Sequence, residues 1–536
     1  MEYMACKISP AERSSIIALM NREIVPAIGC TEPIAVSLCT ARAAEVLGRR
    51  PERISVLLSA NMLKNAMGVG IPGTDGMIGL PIAVALGALF GKSEYGLEVL
   101  RDVTPADVQQ GRRYMEETPI EIGLKQGGCD ILYIEVEVAA GSDRALAVIE
   151  KSHTGFTRIE CNGEVLLEKC AGAGASCAGE GCALNLKKVF EFADTAPLDE
   201  LRFILKAADM NKHAAEVSFT GEYGHSLGRL LRGDMERHIM GDGILSSILS
   251  YTSGACDARM SGAMIPVMSN SGSGNQGISA TLPVVVYAEK SGAPEEKKIR
   301  ALILSNLTVI YIKQSLGRLS ALCGCVVAAT GSSCGITYLM GGGYEEVSYA
   351  VKNMIANLAG MICDGAKPSC ALKVASGIST SVLSAMLAME HRCVTAAEGI
   401  IDEDVDKSIL NLTKIGREGM TQTDRLILDI MTSKGPNPLR GRRKRQPQEH
   451  FGLLRLPLLF PACPGRLPRR DGRYRYLCPV REMHGNCGGF SAYTPFLCNF
   501  TLRTEAVVCR PERKIIQIKD TACTRNSLRP WSACSG

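Results

Sequence analysis

The chain has 536 residues, of which 46% are hydrophobic, 21% charged and 5% aromatic, with 55 Gly and 22 Cys. That length leaves room for two or three domains, and the ordinary hydrophobic share excludes a chain too polar to build a core. The formal charge of +5 is unevenly divided: residues 1–434 carry 41 basic and 49 acidic side chains, residues 435–536 carry 19 and 6, so a mildly acidic body is joined to a strongly basic tail.

The opening residues, MEYMACKISPAERSS, hold early charges and no apolar h-region, which predicts no secretory signal. A proline-led helix with a period near 3.6 starts at Pro10, and 33–47 reads as a small-residue core helix. Residues 54–59 alternate like a strand. Residues 61–79 read as a Gly-rich loop with a Pro72-Gly73 turn. The run 80–91 is apolar but falls short of the roughly 20 residues that a membrane span needs. The expectation is a soluble, cytoplasmic protein, whose cysteines then point to metal binding or catalysis before disulfides.

From about residue 95 the pattern changes. Residues 131–138, 145–150 and 157–165 alternate with period two, and Asn162-Gly163 is a hairpin signal. Beyond residue 205, Ala/Gly/Ser-rich helices dominate. The predicted fold class is therefore α+β: a mainly helical catalytic domain in two parts, 1–94 and 206–434, interrupted by an inserted α+β subdomain at 95–205. No amphipathic period follows Lys434. The last hundred residues hold seven cysteines and the only tryptophan. Segment 435–536 reads as a disordered or aberrant basic, Cys/Pro/Arg-rich tail, because basic composition alone is weak support for a nucleic-acid partner.

Four cysteine settings carry chemistry. Cys30, in VPAIGCTEP, stands at an apparent helix start, where exposed N–H groups would lower a thiol pKa; packing at a cap is the plainer alternative. Cys323 and Cys325 open another small-residue helix, and Cys363 and Cys370 flank a turn. Thiolates select soft metals, and three or four of them can hold zinc or an iron–sulfur cluster. The spacing is neither that of a zinc ribbon nor that of a ferredoxin. A cluster held from distant segments, with one iron left open, fits as well. The stretches 61–74 and 269–277 are rich in donors, a carboxylate cradle or simply turns. GSGNQG lacks the strand of a dinucleotide fold and is no P-loop. His153 and His225 lie in polar, Gly-flanked surroundings, where structural and catalytic roles are both open.

Taken together, GCTEP at 29–33, NMLKNAMGVGIPGT at 61–74, SNSGSGNQGI at 269–278, CGCVVAATG at 323–331 and GMICDGAKPSCALKVA at 360–375 resemble the L-cysteine desulfidase family. That family is related to the α-subunit of bacterial iron–sulfur L-serine dehydratases. The resemblance runs in order over about residues 10–434, and the tail has no counterpart in it. It implies a lyase with an oxygen-sensitive 4Fe-4S cluster, one iron of which is open to substrate. By the same resemblance Cys30, Cys325 and Cys363 are the ligands, with Cys370 the alternative third, although it follows Cys363 at a shorter interval than the dehydratases show. The implied reaction is β-elimination of L-cysteine to sulfide, ammonia and pyruvate. Lys64, His153 and His225 are the candidate bases; Asn61, Asn65, Ser269, Asn270, Asn275 and Lys367 are the candidate substrate contacts. An L-serine dehydratase and a non-catalytic iron–sulfur or sulfur-handling protein are the competing readings; a sensor would have no use for the donor loops. The expected partner is a small-molecule amino acid, with neither nucleic acid nor membrane involved, and a homodimer is left open.

Overall fold

A computed structural model describes residues 8–169, 183–317 and 319–434; the expectations for 435–536 lie outside the described residues. The first helix, Pro10–Glu23, begins where the Ser9 hydroxyl accepts the Glu12 N–H and where proline, lacking an N–H, leaves nothing unsatisfied. Strand β1 (Pro26–Ile28) then leads into helix Thr31–Leu47.

The sheet core follows. Strands β2 (Arg53–Leu58), β3 (Ile120–Leu124), β4 (Tyr133–Ala140), β5 (Asp143–Glu150), β6 (Phe156–Cys161) and β7 (Glu164–Glu168) form one sheet in the order β3-β2-β4-β5-β6-β7. Only the β2–β3 pair is parallel. Alternation sends Ile54, Val56 and Leu58 to the same face as Val136 and Val138, with Val56 opposite Val136 and Ile54 opposite Val138. Helix Thr31–Leu47, with Ala35, Leu38 and Cys39 buried, covers that face. Strand β2 thus comes from the segment before residue 95 and its neighbours from the segment after it. Asn162 and Gly163 turn the β6–β7 hairpin with φ of 50° and 86°, the left-handed pair that such a tight turn requires.

The region 61–79 is not wholly a loop. Ala60–Ala66 is helical because Ser59 caps it, accepting the Met62 N–H, and because Met62 and Ala66 turn into the core.

The second core is helical. Helices Ile244–Met260, Gly274–Ser291, Glu295–Leu316, Gly324–Leu339, Tyr344–Leu358 and Cys370–Met389 pack about Leu302, Val309, Val327, Ile336 and Val351. Their small residues permit close approach: a Cβ on Gly331 would stand 2.4 Å from the Ser305 carbonyl oxygen. Cys370–Met389 is long and apolar enough, by length and composition, to cross a membrane, and half of that stretch is buried inside the fold. Strand β8 (Pro266–Met268) pairs antiparallel with β1. This clamp brings the chain around Cys30 against the 269–277 segment, where the Thr31 hydroxyl donates to the Gly272 carbonyl at 2.9 Å.

Candidate active site

Three of the cysteines stand at helix starts. Cys30 is the N-cap of Thr31–Leu47, Cys323 is the N-cap of Gly324–Leu339, and Cys370 is the first residue of Cys370–Met389. Backbone pairing joins the second to the segment that leads into the third. The Cys323 N–H donates to the Met361 carbonyl at 3.0 Å and the Cys363 N–H to the Ala321 carbonyl at 2.7 Å, with a bridge between Leu322 and Ile362. The segment carrying Cys363 is thereby laced to the entrance of the Cys323–Cys325 helix. The Cys325 thiol donates to the Lys373 carbonyl at 3.2 Å, and Gly377 leaves the room it needs, since a Cβ there would lie 2.5 Å from Cys325 Sγ.

The thiols act on one another electrostatically. Burial, then the neighbouring Cys363, pushes the Cys323 thiol up to about 12. Burial likewise raises Cys325, which feels Cys323 and Cys370, and Cys370, which feels Cys363. Cys256, on helix Ile244–Met260, is raised by burial and by Cys370; it joins this neighbourhood although nothing local in the sequence marks it. Without a metal these buried thiols are protonated. The described cysteines are all free thiols. Among the described residues no three His, Cys, Asp or Glu side chains gather as ligands of a single metal ion. The thiols occupy a broader patch, and soft thiolate donors are what an iron–sulfur cluster takes; in donor chemistry the set fits such a cluster.

Cys30 belongs to a different group. Its thiol donates to Glu32 Oε2 at 3.0 Å, as does the Thr31 hydroxyl, while Asn65 Nδ2 donates to Glu32 Oε1 at 3.2 Å. The helix start was expected to lower the Cys30 pKa. Instead burial, followed by the Glu32 carboxylate, raises it well above the ordinary thiol value, because the helix-end dipole is smaller than either effect here. Burial pushes Glu32 up too, but His153, the Cys30 thiol and Arg259 together hold it below its usual range.

The remaining sequence-derived residues divide. Lys64, 1% exposed, is ion-paired to Asp424 and donates to the Cys363 carbonyl at 3.4 Å, so it fastens the Cys363 turn to helix Thr421–Ser433. His153 is buried beside Glu32. His225 has an exposed side chain, and its backbone N–H donates to Asp257 Oδ1 at 3.3 Å. Asn61 stands one turn before Asn65 on the same helix face. Asn275 Oδ1 accepts from Arg259 Nη1 at 3.0 Å. Lys367 is ion-paired to Asp364 and donates to the Asp364 and Gly365 carbonyls. Ser269 and Asn270 are committed to scaffolding: the first donates to the Val25 carbonyl at 2.6 Å, the second to the Asn306 carbonyl and side chain at 3.1 and 3.0 Å. Arg259, 3% exposed, was missed from sequence; GACDARM places it one turn after Cys256, but the sequence does not show that both are buried.

The fold and site define an α+β protein with a sheet core, a helical core and thiols concentrated at helix starts on the helical core. The chain belongs to the serine dehydratase alpha chain family, whose model matches residues 94–429. A UPF0597 protein of Bacteroides fragilis (strain YCH46) is 67% identical over 428 residues, covering 80% of this chain and 100% of the relative. One from Bacteroides thetaiotaomicron is 68% identical over 425 residues, 79% of this chain and 99% of the relative. A more distant one, from Oleidesulfovibrio alaskensis, is 46% identical over 429 residues, 79% and 99%. About a fifth of this chain has no counterpart in these three.

Proposed function

We propose that the protein is a cytoplasmic L-cysteine desulfidase that uses a 4Fe-4S cluster to eliminate sulfide from L-cysteine. The observation that carries this reading is the lacing of 321–323 to 361–363, which sets Cys363 beside Cys323, with Cys325 and Cys370 in the same neighbourhood. Membership of the serine dehydratase alpha chain family supports elimination from a small β-substituted amino acid. Cys325, Cys363 and Cys370, with Cys323 beside them, would hold the cluster; the hydrogen bond from Cys30 to Glu32 does not favour Cys30 as a ligand. When bound, the cluster supplies a Lewis acid for the leaving sulfur.

The chain's own groups supply the rest. Elimination needs the α-proton removed. Of the three candidate bases, Lys64 is held by Asp424 and His225 is exposed, whereas His153 is buried with the Glu32 carboxylate acting on it. His153 is therefore assigned to take that proton in its neutral form, with the Glu32 carboxylate stabilising the imidazolium that results. Loss of the α-proton and of the thiolate leaves aminoacrylate, which tautomerises and takes up water to give pyruvate and ammonia.

The family's name favours a second reading, in which hydroxide leaves L-serine instead. Full-length protein purified without oxygen is assayed for iron and acid-labile sulfide, then for sulfide and pyruvate from L-cysteine against pyruvate from L-serine. Equal sulfide and pyruvate from cysteine is the expected result. Turnover of serine alone makes the protein a dehydratase. An iron-containing protein that turns over neither is a non-catalytic iron–sulfur protein.

A further inference from the structure

Arg259 is a buried cation that forms no direct ion pair among the described residues. Its Nη1 donates to the neutral Asn275 amide, its Nε has no hydrogen-bond partner, and no carboxylate lies within ion-pair distance of it among the described residues. A guanidinium carries five N–H groups, and burying such donors without acceptors is unfavourable even with the Glu32 charge acting from a distance. The fold nevertheless makes deliberate room for it. A Cβ on Gly274, the first residue of helix Gly274–Ser291, would fall 2.1 Å from Arg259 Nε. Only glycine there lets the guanidinium lie across that helix start.

Its position is central. Arg259 acts by charge on Cys30 and Glu32 on one side and on Cys256, a neighbour of Cys325 and Cys370, on the other. Two unfilled acceptors belong to the same surroundings. Asn65 Oδ1 has no partner, and its orientation is fixed because Nδ2 donates to Glu32, a carboxylate that can only accept. Gln276 Oε1 also has none; Gln276 follows Asn275 and lies against Gly324, between Cys323 and Cys325. Unfilled donors on a buried cation and unfilled acceptors nearby match the two ends of an α-amino acid.

We propose that Arg259 anchors the substrate's α-carboxylate, and that Asn65 and Gln276 accept hydrogen bonds from its α-ammonium group. This rests on the amino-acid lyase reading and adds to it a zwitterion site, which would take any small L-amino acid whatever its leaving group. Discrimination between cysteine and serine then falls to the thiol side of the site.

The test is calorimetric binding of L-alanine, which has both charges and no leaving group, to the full chain purified anaerobically, with L-alaninamide and propionate as probes lacking one charge each. L-alanine should bind, and both analogues should bind at least about tenfold more weakly, as loss of a charged hydrogen bond predicts. Arg259→Met should weaken L-alanine binding by about tenfold or more and raise KM for L-cysteine, with Arg259→Lys intermediate because it keeps the charge but not the fork. Equal binding of alanine and alaninamide, or no binding of alanine, overturns the proposal even if Arg259→Met fails to fold. So does an Arg259→Met protein that binds alanine normally but has lost iron, since Arg259 would then balance the cluster's charge. Turnover with Arg259-independent binding removes the anchor and leaves the lyase reading. Arg259-dependent alanine binding without turnover of cysteine or serine removes the lyase reading and leaves the anchor.

Discussion

Cys30 donates its thiol proton to Glu32 at 3.0 Å, two residues along the same helix start. Within this pair it is the carboxylate that is ionised: burial raises Glu32, yet His153, Cys30 and Arg259 outweigh it and leave the folded pKa below the ordinary value. A carboxyl whose folded pKa is depressed stabilises the fold above its unfolded pKa, about 4.3, and loses that contribution as pH falls through the folded value. Urea denaturation between pH 6 and 3 should therefore show wild-type protein losing stability more steeply on acidification than Glu32→Gln. Parallel curves would mean that Glu32 is not held ionised by its neighbours.

Asp257 has the opposite sign. Burial raises its pKa despite the N–H groups that it accepts from Gly228 and His225. The folded state then binds a proton more readily than the unfolded one, so stability falls as pH rises from the ordinary aspartate value, about 3.9, through the folded pKa. Asp257→Asn, which retains an acceptor oxygen, should flatten that decline. Denaturation midpoints measured from pH 3.5 to 7 decide it, and an unchanged decline would assign the pH dependence to other groups.

Lys64 and Asp424 join the first part of the chain to its last described helix through an ion pair in which the lysine side chain is 1% exposed and the aspartate 14%. Removing one partner of such a pair leaves an uncompensated charge, a loss of about 3–5 kcal/mol, whereas replacing both by apolar groups can be nearly neutral. Lys64→Met should destabilise by that order in chemical denaturation, and Lys64→Met with Asp424→Leu should recover most of it. A double variant no better than the single would show that packing, not the charge, governs the site.

The sequence carried the local features and missed the long-range ones. A proline at a helix start, an Asn-Gly hairpin and cysteines at the entrances of small-residue helices are written within a few positions, and each was readable. The helix Ala60–Ala66 was hidden because the glycines after it dominate the composition of 61–79, although Ser59 caps it. Cys256 and Arg259 look unremarkable in GACDARM; their roles come from segments far away in the chain, Cys370 for one and Gly274 for the other. The Cys30 pKa was read in the wrong direction for the same reason. A helix-end effect is local and visible, while desolvation depends on everything packed around the thiol.

Gly377 tests whether helix Cys370–Met389 must lie on Cys325. An added Cβ would meet Cys325 Sγ at 2.5 Å, so the helix or the thiol has to move, an overpacking cost of about 1–3 kcal/mol. Gly377→Ala should stay folded by circular dichroism and yet bind less iron, because a shift of the Cys325 sulfur disturbs a ligand while the cores remain intact. Full iron content in the variant would argue against Cys325 as a ligand.

The ligand set is decided by comparing thiols across the two groups. Cys363 is fixed by backbone pairing beside Cys323, whereas Cys30 has its thiol on Glu32 and its charge interactions with Glu32 and Arg259. Cys363→Ala should therefore lose the cluster, read as iron and acid-labile sulfide in anaerobically purified protein. Cys30→Ala should retain it, and its effect should appear instead in turnover, through the altered setting of Glu32. Cys256 adjoins the thiol patch but is fully buried within helix Ile244–Met260 rather than at a helix start, and Cys256→Ala should also keep its iron. Loss of iron from Cys30→Ala, with Cys323→Ala unaffected, would return Cys30 to the ligands; the thiol would then have to leave Glu32 when the cluster binds, leaving that carboxylate to Thr31, Asn65, Arg259 and His153.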